Sequence, residues 1–193
     1  SKDEYLQMCS YKTGSLARLA VGMGAILGGA SAKQLGALLD FATSIGVAFQ
    51  IQDDILNIKP REGWGKETGD DIKEGKRTLM VIHAFSALGE RERQRLKWIL
   101  DSRQNSELEV REAIELLEQS GSIQYAEAFA NEMVSKSWEK LGSSLENSKA
   151  KSKKPSNSLI ASFPRMSRSS VLRVRLSLSF VISLRAGHRL RLR

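Results

Sequence analysis

The chain has 193 residues and a formal net charge of +8, enough length for one domain with a sizeable core. Its one cysteine, Cys9, excludes an intrachain disulfide, and one cysteine with two histidines is too few ligands for a structural zinc site. The charge is split: residues 1–146 carry 18 Lys and Arg with all 22 Asp and Glu, a net of −4, whereas residues 147–193 carry 12 Lys and Arg and no acid. The basic balance therefore belongs to the tail and says little about the body. No uninterrupted apolar run reaches the roughly 18–20 residues of a spanning helix. The polar start, SKDEYLQMCS, does not read as a signal or transit peptide, so a reducing, cytoplasmic setting is expected.

In chain order, the segment YLQMCSYKTGSLARLAVGMGAIL reads as one helix with Leu16, Leu19, Ala20 and Met23 on one face. GGAS breaks it, and Ser31 is placed to N-cap the next helix. That helix, about Ala32 to Lys59, carries Leu35, Leu38, Leu39, Ala42, Ile45 and Phe49 at steps of three and four, as expected of a helix buried on most sides. Pro60, Gly63 and Gly65 end it. A polar loop follows, PREGWGKETGDDIKEGKRT, then a helix from about Thr78 to Leu88, stopped by Gly89 in the C′ role. RERQRLKWILDS and ELEVREAIELLEQSG predict two further helices, the second closed by Gly121. SIQYAEAFANEMVSKSWEKLGSSL predicts a last one with Ile123, Ala126, Ala130, Met133 and Leu141 inward. No convincing strand precedes residue 147, and the body is read as all-α.

The tail has another pattern. NSKAKSKKPSNS has the composition of a disordered linker. From Leu172 to Leu184 every even position is apolar, a strand-like period attached to a helical body. One reading is a basic arm for a membrane surface or nucleic acid, bound non-specifically through phosphates. The other is a segment never selected as part of the fold, as a shifted reading frame would produce. The expected division is thus a helical domain over 1–146 and a basic Ser/Arg/Leu tail over 147–193, with no specific nucleic-acid target.

The chemistry concentrates in FQIQDDILNI, Phe49 to Ile58. On a helix, Gln50, Asp53, Asp54 and Asn57 share a face. Carboxylates on a buried helix are costly unless they pair as surface ions or face a cavity that holds cations. Magnesium takes oxygen ligands and commonly binds through one or two carboxylates plus substrate phosphates. Downstream, Gly63, Gly65, Gly69 and Gly75 alternate with Lys66, Lys73, Lys76 and Arg77, a composition that suits either a phosphate-gripping loop or a solvated one. Upstream, Lys12 and Thr13 interrupt an apolar face. Together these features suit a diphosphate held through magnesium.

The motifs YKTGSLARLAVGMGAIL, GVAFQIQDDILNI and GKETGDDIKEGKRTLMVIHAF, in that order, resemble the trans-isoprenyl diphosphate synthases, or polyprenyl synthetases, of the short-chain geranylgeranyl and farnesyl type. VREAIELLEQSGSIQYAEAFANEMV is also similar to the family's next helices. The resemblance spans roughly residues 5–145, the C-terminal half of a usual member. It implies a partial helical bundle of the isoprenoid-synthase type followed by a non-family basic tail. The implied reaction is magnesium-dependent head-to-tail condensation of isopentenyl diphosphate with an allylic diphosphate, usually in a homodimer.

By the same resemblance, Asp53 and Asp54 would hold Mg2+, and Lys12, Lys66 and Lys76 would meet the allylic diphosphate, with Lys76 at the mouth of the site. Gln50 would lie near the carbocation or the diphosphate, and Thr13 would help stabilise the cation. Phe49 would pack beside the reacting chain or serve as plain core; Lys73 and Arg77 are read as solvated charges.

The third aspartate of the family motif is Asn57 here, a weaker magnesium ligand, and the first aspartate-rich motif lies upstream of the resembling stretch. The expectation is therefore a chain that does not turn over alone. The alternatives are a non-catalytic subunit that pairs with a full-length synthase, a related class I terpene cyclase or squalene-type synthase, and a binder acting through the tail.

Overall fold

The computed structural model describes residues 1–60, 68–102 and 105–145; Lys66 and the tail over 147–193 lie outside them. Every described element is helical: α1 (Lys2–Cys9), a π turn (Ser10–Gly14), α2 (Ser15–Leu27), α3 (Ala32–Ile58), α4 (Asp70–Lys73), α5 (Leu79–Ala87), α6 (Glu90–Asp101), α7 (Glu107–Gln119) and α8 (Ser122–Leu145). The all-α reading of the body holds.

Local chemistry explains most boundaries. Ser31 caps α3 as expected, accepting from the Gln34 N–H while the Gln34 side chain returns to Ser31 N. The same reciprocal box opens α7 through Ser106 and Glu109, and α1 through Ser1 and Glu4. Gly121, at φ 68°, closes α7 in the left-handed conformation its lack of Cβ permits. Gly89 does not take that role. Its φ is −62° and ψ 165°, and it N-caps α6 instead of terminating α5.

The structure differs from the sequence reading in four further places. The first long helix is interrupted by the π turn, which inserts extra backbone where Lys12 and Thr13 sit. Within the expected polar loop, Asp70 to Lys73 form a single helical turn. Leu16, Leu19 and Met23 share a face, but it is exposed, together with Ile26 and Leu27; α2 buries its small side, Gly22 and Ala25. Finally, α3 is long and apolar enough by length and composition to cross a membrane, although no unbroken apolar run marks it.

Here α3 is the central helix, packed on α8 along much of its length and on α2 and the π turn across another side. Its C-terminal half supplies Val47, Ile51, Ile55 and Ile58 to the main core. These meet Leu79, Met80 and Ala84 of α5, Leu96 and Ile99 of α6, Ala113 and Leu117 of α7, and Ile123, Ala126 and Ala130 of α8. A smaller cluster at the other end joins Leu38 of α3 to Ala25 and Leu141, with the Phe41 and Trp138 rings 5.2 Å apart. The apolar positions expected on α8 are buried, apart from Met133, which is half-buried against the core.

Candidate active site

The site is built where the π turn crosses α3. A Cβ placed on Gly46 would lie 2.6 Å from Gly14 Cα and 2.9 Å from Gly14 N, so the two backbones touch directly. This approach brings Thr13 to Gln50, and the Thr13 hydroxyl donates to Gln50 Oε1 at 3.0 Å. One turn further along α3, Gln50 Nε2 donates to Asp54 Oδ1 at 2.8 Å. From α1, the Tyr5 hydroxyl donates to Asp54 Oδ2 at 2.7 Å. Both oxygens of Asp54 are thus engaged, and the residue is 7% exposed. Burial pushes its carboxyl up to about 6; the Tyr5 and Gln50 hydrogen bonds act the other way, and the neighbouring Asp71 and Asp53 charges reinforce the rise. Burial also drives the Tyr5 hydroxyl well above the usual phenol range, with the Asp54 charge adding to it.

Asn57 is 5% exposed and is used for architecture. Its Oδ1 accepts from the Asp71 N–H at 3.0 Å, and its backbone oxygen accepts from Gly69 N at 2.8 Å. These two bonds tie the end of α3 to the start of α4 and bring Asp70 and Asp71 to the same cavity as Asp53. Gly69 can turn the chain there because it adopts φ 82°. Lys76 Nζ pairs with Asp71 at 2.6 Å and Glu74 at 2.8 Å. Partial burial works against its charge, but these two carboxylates dominate and hold its ammonium above the ordinary lysine range. Arg77 is half-buried, donates to Gly75 O and Asp101, and is not the solvated charge the sequence suggested.

Between these elements lies a cavity of about 410 Å³. Its wall includes Asp53, Asp54, Asp70, Asp71 and Glu74 on one hand, and Lys12, Lys76 and Arg77 on the other. Tyr5, Met8, Gln50, Asn57 and Thr78 complete it. Thr78 is 5% exposed, and its Oγ1 is buried with no hydrogen-bond partner. An oxygen-rich, acidic wall fits a hard divalent cation. Among the described residues, however, no three such ligands are close enough to hold a metal by themselves. The donor set fits an ion shared between one or two carboxylates and the oxygens of a bound phosphate, with the cations left for that same anion.

Of the residues singled out from the sequence, Lys12, Gln50, Asp53, Asp54 and Lys76 line this one cavity. Thr13 stands behind Gln50, and Lys66 falls outside the described residues. Phe49 is half-buried. Sequence reasoning passed over Tyr5, Asp70, Asp71 and Thr78. Asp70 and Asp71 stood inside the quoted loop motif, where the lysines drew attention, and Tyr5 lies seven residues before Lys12, two helical turns away.

Known proteins bear on this geometry. A short chain isoprenyl diphosphate synthase of Methanothermobacter thermautotrophicus is 43% identical over 142 residues, covering 73% of this chain and 43% of that protein. The geranylgeranyl pyrophosphate synthetase of Pyrococcus horikoshii superposes with a TM-score of 0.63 at 28% identity, over 97% of this chain and 49% of its own. A polyprenyl synthase from Caulobacter crescentus, crystallised with calcium and isoprenyl diphosphate, gives a TM-score of 0.65 at 31% identity, over 76% of this chain and 44% of its own. The chain thus spans under half the length of each of these relatives. The family model for polyprenyl synthetase matches residues 1–117, and the chain belongs to the polyprenyl synthetase family.

Proposed function

We propose that residues 1–146 form the allylic-diphosphate half of a prenyl diphosphate synthase, an enzyme class that joins isopentenyl diphosphate head-to-tail to an allylic diphosphate. The observation that carries this reading is a cavity lined by both aspartates and cations within a member of the family. The calcium and isoprenyl diphosphate bound by the Caulobacter relative support the pairing of a divalent ion with a diphosphate. Bound magnesium supplies positive charge that stabilises the diphosphate as it leaves.

The chain's own residues prepare that site. Asp53 and Asp54 are the candidate magnesium carboxylates, Asp53 facing the cavity from α3. Lys12, Lys66 and Lys76 add point charges for phosphate oxygens. Thr13 commits its hydroxyl proton to Gln50, which leaves its oxygen lone pairs for a neighbouring positive centre. Gln50 spends one amide hydrogen on Asp54 and keeps the second for a diphosphate oxygen. By resemblance residues 1–146 hold the second aspartate-rich motif, so these residues taken alone are expected to bind an allylic diphosphate rather than condense it. Calorimetry with geranyl diphosphate, with and without Mg2+, tests the binding. Magnesium-dependent binding is expected, and its absence refutes the site. A prenyl product on adding isopentenyl diphosphate would refute the incompleteness.

A second reading, a non-catalytic partner of a full-length synthase, is favoured by the exposed apolar face of α2: Leu16, Leu19, Met23, Ile26 and Leu27. Its occupant would be a complete synthase of the same family. Co-purification with such a synthase, abolished by Leu19→Glu, supports this reading; no association refutes it.

A further inference from the structure

We infer that Tyr5 is a positioning residue that holds Asp54 where it orients Gln50, and through it Thr13, and so fixes which hydrogen of Gln50 is left for a diphosphate. The inference rests on the proposed diphosphate site and adds to it a residue outside the aspartate-rich helix, the lysine–threonine pair and the glycine loop.

Tyr5 comes from α1 and Asp54 from α3, 49 positions apart, and their contact is buried. An ionised carboxylate only accepts. With Oδ2 taken by the Tyr5 hydroxyl, Oδ1 is the atom left for Gln50, which must present its NH2 group. That orientation turns Gln50 Oε1 toward Thr13, so Thr13 must donate its proton to Gln50. The second Gln50 amide hydrogen is what remains for the cavity that Gln50 lines. A flipped Gln50 would not offer it. Packing alone does not select this arrangement, because the oxygen and nitrogen ends of a glutamine amide have nearly the same shape.

Removing the Tyr5 hydroxyl leaves Asp54 Oδ2 buried without its donor, a costly state that the carboxylate relieves by turning toward the cavity. Gln50 then loses its single orientation. The ring of Tyr5, 5% exposed and packed in the main core, is a separate contribution that phenylalanine retains.

The test compares wild type, Tyr5→Phe and Tyr5→Leu by two readouts. In 1H–15N spectra of the metal-free protein, the Gln50 side-chain amide, assigned by its loss in Gln50→Leu, is expected as a dispersed pair with one strongly hydrogen-bonded proton. In Tyr5→Phe the pair moves to the position of an ordinary solvated glutamine while the circular dichroism stays helical; an unchanged pair overturns the inference. A slowly exchanging downfield Tyr5 hydroxyl proton in the wild type supports it without any variant, and its absence at low temperature counts against it.

The second readout is calorimetric binding of inorganic diphosphate with Mg2+. Tyr5→Phe is expected to weaken it about tenfold, as loss of an outer-shell partner does, with Tyr5→Leu no weaker in binding but lower in melting temperature. Equal binding by wild type and Tyr5→Phe overturns the inference. Absence of binding by the wild type refutes the proposed site instead, and the amide spectra still decide whether Tyr5 orients Gln50.

Discussion

Gly46→Ala tests the contact on which the candidate site is built. The added methyl would sit 2.6 Å from Gly14 Cα and 2.9 Å from Gly14 N. Both are backbone atoms, so no side chain can swing aside. Carbon atoms rest at about 3.5–4.0 Å, and the π turn must therefore retreat from α3 by about 1 Å. That displacement stretches the Thr13–Gln50 hydrogen bond, now 3.0 Å, beyond the useful limit of about 3.5 Å. Overpacking of this kind costs about 1–3 kcal/mol, offset by the ~1 kcal/mol that alanine gains over glycine inside a helix. The control lies in the same helix: a Cβ on Gly36 meets nothing within 4 Å, so Gly36→Ala keeps the propensity gain of about 0.5–1 kcal/mol without the clash. Urea denaturation followed by circular dichroism should therefore move in opposite directions for the two variants, by about 2 kcal/mol in total. Magnesium-dependent binding of an allylic diphosphate should fall only for Gly46→Ala. If both variants stabilise equally, the direct backbone contact at Gly14 is refuted.

The remaining expectations concern the acidic wall and its latch. Asn57→Leu leaves the partly buried Asp71 N–H without its acceptor and should cost about 1 kcal/mol in denaturant titrations. Asn57→Asp keeps that acceptor and should leave magnesium-dependent diphosphate binding within about threefold of wild type, near the scatter of single-contact effects; a large gain would mean that position 57 ligates metal after all. Lys76→Met frees Asp71 and Glu74 and removes a cation from the cavity mouth; calorimetry should show weaker diphosphate binding, while stability shifts by less than about 1 kcal/mol because the pair is partly exposed. Asp54 gives a pH signature in the metal-free protein. Its folded carboxyl lies at about 6 against an ordinary 3.8, so its contribution is full below about pH 4 and is lost as pH rises through 6. The stability of wild type relative to Asp54→Asn should fall by about 2 kcal/mol between pH 4 and pH 7, and a constant difference across that range refutes the burial argument.

What could be read from the chain follows from how far each signal reaches. Ser31 and Gly121 were legible because caps act within four residues, and the periodic runs of α7 and α8 state which side is buried. Gly89 was misassigned because a glycine between two helices can end one or begin the next, and only its backbone angle, φ −62°, decides. The π turn leaves no trace in the pattern of apolar residues, since one inserted residue shifts the register without breaking the run. Leu16, Leu19 and Met23 show the complementary limit. Periodicity identifies a face but not its cover, and here the cover of α2 is Gly22 and Ala25 against α3, while the larger side chains stay exposed.

The candidate site divides along the same line. Gln50, Asp53, Asp54 and Asn57 were found because one helix spaces them, and Lys12 with Thr13 because they interrupt an apolar face. Their grouping depends on long-range contacts, Gly14 on Gly46 and Tyr5 on Asp54, that no local pattern encodes. Asn57 makes the point most sharply. Taken by spacing it is the third member of a metal-binding series, yet its amide oxygen accepts the Asp71 N–H and its backbone oxygen accepts that of Gly69. An amide can hold α4 against α3 as well as a carboxylate would, without adding a charge beside Asp54, whose carboxyl burial already pushes up to about 6. The departure from the family motif therefore falls on a position where, in this fold, the side chain accepts the Asp71 N–H and ties α4 to the end of α3.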